Sequence, residues 1–580
     1  MEQNFDFKIS AQDLKMLTPN NVTNINIGVL GHIDSGKTSL ARALSEITST
    51  ASLDKNPQSQ QRKITLDLGF SAFFTKVPQQ INQSFSKIDA NKNFLQFTLV
   101  DCPGHASLIK TIIGGSSIID TMFLVIDVNK GIQTQTAECL VIGELLINKM
   151  IVILNKIDMI PEQDRQKILT KKKETLKKVF SKTKFGANVP MVEVSAAVSA
   201  NPSGETIGVQ KLIETLLQIV EYPERKQEKL PFLFLIDHCF PIKGQGSVVT
   251  GTVIQGQIKA GDEIFFPQLN EVKKMKSMQM FKKSVPIAKQ GDRVGMLVTQ
   301  LDHNLIERGI ACEKSAVKSI ENAIIPISYF KFGIKSKAKY HITSGHQTNM
   351  ATIKLFSCKK QDIIKQGQQQ DNMKLDLSND LDYEYEESYE DFQQKPNKNE
   401  LQLYCLLEFE KPLLANLDSL LIGSKFDSDI QQNVCRLGFH GKILNIINND
   451  QLKNLRIYRN KTRSGVVDDY TILIKDLFKK ETKIEVFLNR NIRIPVTNNI
   501  GKISAPFGKS GKCKATFQKN VNFSYNNQES LQNEQNQQKE EQKSEENQKI
   551  DIVNKEVQLF YKKYLFQKQS QQKNENQKQK

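Results

Sequence analysis

A β-branched run, Ile25–Leu30, leads straight into Gly31-His32-Ile33-Asp34-Ser35-Gly36-Lys37-Thr38, and a helical stretch, Ser39–Ser45, follows. This GxxxxGK[ST] pattern between strand and helix narrows the fold sharply. Its glycines let backbone N–H groups approach phosphate oxygens, and the helix start adds positive potential. Further short apolar runs, Leu95–Val100, Met122–Asp127, Met150–Leu154 and Met191–Val194, alternate with helical patterns such as Thr136–Leu146. Such alternation predicts an α/β domain over 22–224 with a doubly wound, mainly parallel sheet, whose site lies at the carboxyl ends of the strands.

At 580 residues the chain exceeds one hydrophobic core, and 39% hydrophobic residues suffice for several. After Tyr222–Pro231 the texture changes to short strand-like runs punctuated by Gly and Pro. Phe232–Asp237, Gly246–Gln255, Glu263–Phe266, Val272–Met280 and Arg293–Gln300 predict a β-barrel over 230–315. A second barrel is expected over 325–482, from Ala338–Ile342, Met350–Phe356, Leu401–Phe409, Ser419–Ile422 and Val434–His440. Nine acids between Asp371 and Asp391 mark 359–400 as a disordered acidic insertion. A last β-barrel domain is expected over 483–570, with a disordered Gln/Asn-rich loop at 525–550 and a tail at 571–580. Its closing strand would be Val557–Phe566.

The net charge of +17 suggests a polyanionic partner, although a solvated basic surface accounts for it equally well. Eight scattered cysteines form no disulfide framework, Met1–Asn24 lacks a signal-peptide core, and no apolar run approaches the ~20 residues of a membrane span. A cytoplasmic setting without membrane attachment is expected.

Three more patterns join the first, in order. Asp101-Cys102-Pro103-Gly104-His105 follows Leu95–Val100: the Asp suits a magnesium shell through water, Gly104 offers an N–H to a γ-phosphate, and His105 stands where related enzymes orient the attacking water. Asp101 could instead cap a turn and His105 be a surface histidine, but its place beside the glycine weighs against that. Asn155-Lys156-Ile157-Asp158 ends another strand, and its Asp can accept from both N1–H and the exocyclic amine of guanine, a pattern adenine lacks. Ser195-Ala196-Ala197 would give backbone N–H to guanine O6. Thr65 lies between the first two motifs, where GTPases keep a threonine that bridges Mg²⁺ and the γ-phosphate. The expected GTP/GDP contacts are therefore Asp34, Ser35, Gly36, Lys37, Thr38, Ser39, Thr65, Asp101, Gly104, Asn155, Lys156, Asp158 and Ser195–Ala197. Thr38, Thr65 and Asp101 are the Mg²⁺ candidates, and His105 the catalytic residue.

Gly-His-Ile-Asp-Ser-Gly-Lys-Thr, Asp-Cys-Pro-Gly-His and Asn-Lys-Ile-Asp resemble the elongation-factor class of translational GTPases. Asp67–Phe70, Gly131–Gln135, Asp237–Phe240, Lys243–Gly246, Lys276–Phe281, Leu477–Thr482 and Ala505–Lys512 resemble the eukaryotic selenocysteine-specific members. The resemblance implies GTP-dependent delivery of selenocysteinyl-tRNA to the ribosome at recoded UGA codons, by a monomer acting with the selenocysteine-insertion RNA element and its binding protein. It also implies a selenocysteine pocket of Asp237, His238 and Arg293, where an Arg and a His donor would favour a selenolate. By the residues alone, Arg293 reads as a turn residue paired with Asp292, and His238 as a strand histidine. Gly501–Gln528 holds five lysines, no acid, and interleaved Phe507, Phe517 and Phe523, which suits RNA.

Lys63 stands in Arg62-Lys63-Ile64-Thr65 where related GTPases carry glycine, which removes backbone freedom before Thr65. The rival readings are a general aminoacyl-tRNA or initiator-tRNA GTPase and a GTP-regulated RNA-binding adaptor. The β-rich fourth domain and the Asp237, His238, Arg293 set argue against the tRNA-binding rivals.

Overall fold

The computed structural model describes residues 9–18, 21–45, 47–48, 69–78, 92–102, 118–197, 205–223, 225, 228–281, 283–306, 308–329, 333–364, 375, 381–425, 436–469, 472–496, 499–508, 510–517 and 554–566. They fall into two compact units, one of residues 1–353 with 405–447 and one of 354–404 with 448–580.

The first unit begins with α1 (Ala11–Met16), β1 (Val22–Gly31), α2 (Lys37–Leu44), β2 (Ile47–Thr48), β3 (Gly69–Lys76), β4 (Phe94–Asp101) and β5 (Thr121–Asp127). It continues with α3 (Thr134–Leu146), β6 (Lys149–Asn155), α4 (Glu162–Phe180), β7 (Met191–Val194) and α5 (Val209–Ile219). The sheet order is β2-β3-β4-β1-β5-β6-β7. β4, β1, β5, β6 and β7 are parallel, and β3 and β2 extend the sheet antiparallel at one edge. The five strands expected from the sequence are all present. The β3 strand, Gly-Phe-Ser-Ala-Phe-Phe-Thr-Lys, was not expected, because no helical pattern separates it from β4.

Both faces of this sheet are covered, which is why its strands read as nearly unbroken apolar runs. Phe123, Val125, Ile151 and Ile153 pack with Leu40 and Leu44 of α2 and Leu212 and Leu216 of α5. Their neighbours Met122, Leu124, Val152 and Leu154 point to the other face, against Leu140 of α3 and Leu169 and Phe180 of α4. That second core runs on to Leu235 and Ile310, and to Ile422 and Leu437, so three parts of the unit share one apolar layer.

The next strands are β8 (Leu233–Ile242), β9 (Gly246–Gln255), β10 (Gln257–Lys259), β11 (Glu263–Phe266), β12 (Glu271–Met280), β13 (Lys283–Val285), β14 (Ile287–Lys289), β15 (Arg293–Val298) and β16 (Gly309–Cys312). They run β11-β16-β8-β9-β15-β12-β13, and the extra β11–β12 pairing closes a barrel around Phe234, Val249, Ile264, Met278 and Met296. Beyond it, Lys339–Ser344 pairs with the strand beginning at Gln347 and with Leu420–Ser424, which pairs in turn with Leu437–Lys442.

In the second unit, Ile457–Asp469 pairs with Leu473–Lys475, which is followed around a ring by Lys512–Phe517, Asn499–Phe507, Asn491–Ile494 and Glu556–Tyr564, and so back to Ile457–Asp469. The expected returning strand is there, paired on both edges. The expected start at Lys483 is not: the ring cannot close without Ile457–Asp469, so the first strand of this barrel begins at Ile457. The expectation of disorder across 359–400 also fails for the described part. Tyr383–Glu386 pairs with Ile457 and Tyr458 and with Leu355–Ser357. Tyr383, Tyr385 and Phe392 are buried, and Asp382 binds Lys562, Arg456 and Tyr564. The acids mark a docked segment whose charges are paired within the unit. The Gln/Asn-rich loop at 525–550 and the tail at 571–580 lie outside the described residues.

Candidate nucleotide site and a buried charge cluster

β1 lies between β4 and β5, both parallel to it, so the loop leaving β1 opens at the point where strand order changes direction. Two left-handed residues shape that loop, Asp34 at φ 59° and Gly36 at φ 90°, with Gly36 as N-cap of α2. A Cβ at Gly36 would overlap Asn155 Nδ2, so glycine is needed for space as well as for conformation. Lys37 is buried, and its Nζ donates to the His32 carbonyl at 2.8 Å. Burial lowers its pKa, and Asp101 opposes the shift. Ser35 Oγ is buried without a hydrogen-bond partner among the described residues, and Ser39 follows in the first turn of α2. Thr38 Oγ1 donates to Asp101 Oδ2 at 2.7 Å. Two hard oxygen groups thus meet beside the phosphate cradle, a donor set that fits Mg²⁺, which binds through few protein oxygens plus phosphate and water.

Asn155, at the end of β6, ties two loops together. Its Nδ2 donates to the Ser35 carbonyl at 2.9 Å, and its Oδ1 accepts from Ala196 N at 3.3 Å. Lys156 takes φ 66°, and its Nζ sits 3.0 Å from Asp127 Oδ2 at the end of β5. Burial would raise the Asp127 carboxyl, but Lys156 and the N–H groups of Asn129 and Lys130 hold it below the ordinary value. Asp127 was missed in the sequence, where its only signal is a carboxylate closing a strand. Asp158 Oδ1 accepts from Ser195 Oγ at 2.5 Å, which fixes the carboxylate beside the Ser195–Ala197 loop. The P-loop, the Asn155–Asp158 segment and the Ser195–Ala197 segment therefore converge. Thr65, Gly104 and His105 lie outside the described residues.

Away from this site, Asp237 and Arg293 come together. Asp237 is the extra residue of a β-bulge, since β8 shifts register against β9 between Ile236 and His238. Its Oδ2 accepts from Arg293 Nη1 at the start of β15. The guanidinium carbon lies 3.0 Å from the centre of the Phe70 ring of β3. Arg293 is 4% exposed, and its Nη2 has no hydrogen-bond partner among the described residues. A third group joins them: His346 Nε2 is 3.0 Å from Asp237 Oδ1. Burial alone would raise the Asp237 carboxyl, but Arg293 and His346 outweigh it and hold it at about 2. Burial lowers the Arg293 pKa against the pull of Asp237. His238 is half-buried, paired in the strand opposite Thr250. Arg293 thus pairs with Asp237, not with its neighbour Asp292. Phe70 and His346 were not anticipated, because each arrives from a distant part of the sequence.

Four family models match the chain. The "Elongation factor Tu GTP binding domain" covers residues 22–222 and "Elongation factor Tu domain 2" covers 246–310. "Selenocysteine-specific elongation factor, eukaryotes, 3rd domain" covers 322–441, and "eEFSec C-terminal RIFT domain" covers 453–570. The mouse selenocysteine-specific elongation factor is 43% identical over 524 residues, spanning 85% of this chain and 88% of the mouse protein. That of Methanocaldococcus jannaschii is 31% identical over 506 residues, spanning 86% and 95%. Among solved structures, translation elongation factor SelB from Methanococcus maripaludis in complex with the GTP analogue GppNHp superposes with a TM-score of 0.64. It is 26% identical and covers 94% of this chain and 99% of its own.

Proposed function

The chain belongs to the selenocysteine-specific elongation factors, and from that premise we propose that it carries selenocysteinyl-tRNA in its GTP form and releases it when GTP is hydrolysed. It is a translational GTPase that binds GTP and GDP. The loop at Asp34–Thr38 offers N–H groups to the phosphates, and Lys37 exchanges the His32 carbonyl for a phosphate oxygen. Asp158 reads the guanine edge, held in place by Ser195, while Ala196 and Ala197 face the guanine oxygen. Thr38, Thr65 and, through water, Asp101 would hold Mg²⁺, which offsets negative charge on the phosphates. His105 orients the attacking water, and Gly104 donates to the γ-phosphate until it departs.

One observation carries the cargo assignment: Arg293 is buried against Asp237 with Phe70 on its face and one Nη donor without a partner among the described residues. A selenol ionises near neutral pH while a serine hydroxyl does not, so a dehydrated guanidinium favours selenocysteine through charge. β3, which carries Phe70, pairs along β4 as far as Asp101, so the cluster lies one strand from the phosphate site. The family resemblance supports a cytoplasmic monomer working with tRNA, the ribosome, and the selenocysteine-insertion element with its binding protein. The test compares the affinities of selenocysteinyl- and seryl-tRNA sharing one tRNA body, with the protein in a GTP-analogue state. A clear preference for selenocysteine that disappears in Arg293→Ala is the expected result; equal affinities in the unaltered protein would leave a general tRNA carrier.

A further inference from the structure

His346 enters the charge cluster from a different barrel than Asp237 and Arg293. It lies on the turn between Lys339–Ser344 and the strand from Gln347, where Ser344 pairs with Gln347 and only Gly345 and His346 remain in the loop. Of these two, only Gly345 has positive φ, at 51°, which is the pattern of a two-residue hairpin turn with glycine first. A Cβ on Gly345 would stand 3.4 Å from the Leu235 side chain of β8, so the turn rests on the strand that carries Asp237. The His346 side chain is 2% exposed, and its polar contact there is the Asp237 carboxylate.

We propose that His346 is a positioning residue for selenocysteine recognition, and this rests on the cargo assignment above. Asp237 has two oxygens and Arg293 two terminal nitrogens, and left to themselves they would form a two-pronged pair. That arrangement would consume both Nη donors. In the structure His346 Nε2 stands 3.0 Å from Oδ1 on the side a second prong would need, so Asp237 holds Arg293 through Nη1, and Nη2 has no hydrogen-bond partner among the described residues. Nη2 is then the donor for an anionic selenolate, and His346 keeps it free. The aminoacyl preference accordingly depends on a turn of the second barrel being seated against the first.

The experiment exploits which imidazole nitrogen makes the contact. A glutamine amide reaches about as far as Nε2, and an asparagine amide only about as far as Nδ1. Affinities for selenocysteinyl- and seryl-tRNA on one tRNA body are measured with full-length His346→Gln, His346→Asn and Arg293→Ala, each bound to a GTP analogue. His346→Gln should keep the selenocysteine preference within about threefold of the unaltered protein, and His346→Asn should lose about tenfold of it, the scale of one charge-assisted hydrogen bond. Seryl-tRNA and nucleotide affinities should stay unchanged in both. A preference retained in His346→Asn, or lost equally in both histidine variants, overturns the role of His346. If Arg293→Ala also leaves the preference intact, the cargo assignment itself is at fault.

Discussion

Single residues in this protein are held by very few atoms, and the consequences can be worked out one residue at a time. Gly36 is at φ 90° with the Asn155 amide where a side chain would go. Gly36→Ala therefore adds about 1–2 kcal/mol of backbone strain and also pushes Asn155 off the Ser35 carbonyl. Guanine-nucleotide affinity should fall at least tenfold in a fluorescent-nucleotide titration; binding within twofold would mean that the loop relaxes freely. Asp237 makes a different kind of prediction. Its folded pKa lies at about 2, below its unfolded value, so its ion pair contributes full stability above the unfolded pKa and loses it as pH falls toward 2. Asp237→Asn removes that dependence and leaves Arg293 buried without its anion. The stability gap between the two proteins should thus be widest above pH 5 and shrink by about 2 kcal/mol by pH 2. A pH-independent gap in acid unfolding would show that Asp237 is not ionised in the fold. The motif residues were legible because each chemistry demands a fixed type at a fixed spacing. Phe70 and His346 were not, since no local pattern reports a contact made from another domain.

At the scale of elements, legibility followed burial on both faces. β5 and β6 are covered by helices above and below, so their apolar runs stand out in the sequence. Ile457–Asp469 is different: it carries Arg459, Lys461, Arg463 and Asp468 and has few aliphatic residues, yet it pairs along its length with Glu556–Tyr564. Its polar side chains are accommodated as ion pairs and aromatic contacts, such as Arg459 with Glu387 and the Tyr385 ring, or Arg463 against Tyr561. The acidic stretch before residue 400 was misread for the same reason. Its charge count suggested solvent, while its tyrosines and Phe392 supply the buried face and its carboxylates meet Lys395, Arg456, Arg459 and Lys562. Asp382 is the hub of that docking, accepting from Arg456, Lys562 and Tyr564. Asp382→Ala should cost about 1–3 kcal/mol locally and expose residues 381–400 to faster limited proteolysis. Cleavage at an unchanged rate would show that strand pairing alone holds the segment.

Across the first unit, the nucleotide domain is joined to its neighbours by two charged links set around a shared apolar layer. Arg225, in the linker, binds both oxygens of Asp120 at 2.7 and 2.9 Å, and Gly291 packs against its guanidinium while receiving hydrogen bonds from Asn24 and Asn26. On another side, Glu138 of α3 takes two hydrogen bonds at 3.0 Å from the Arg436 guanidinium and one from Arg436 N, with both side chains buried. α3 follows β5, whose last residue steadies Lys156, so the Glu138 link ties the base-reading end of the site to the second barrel. Removing one partner of such a pair strands the other charge in a dry interface, while replacing both with apolar groups is far milder. Arg436→Ala should therefore destabilise the first unit by about 3–5 kcal/mol, and the double variant Glu138→Leu/Arg436→Met should recover most of that loss. Thermal unfolding of the four proteins of the cycle, with nucleotide bound, measures the coupling. A nearly additive cycle, with the double variant as weak as the sum of the singles, would mean that the two side chains do not act on each other, and the apolar layer would then be what holds the nucleotide domain to the second barrel.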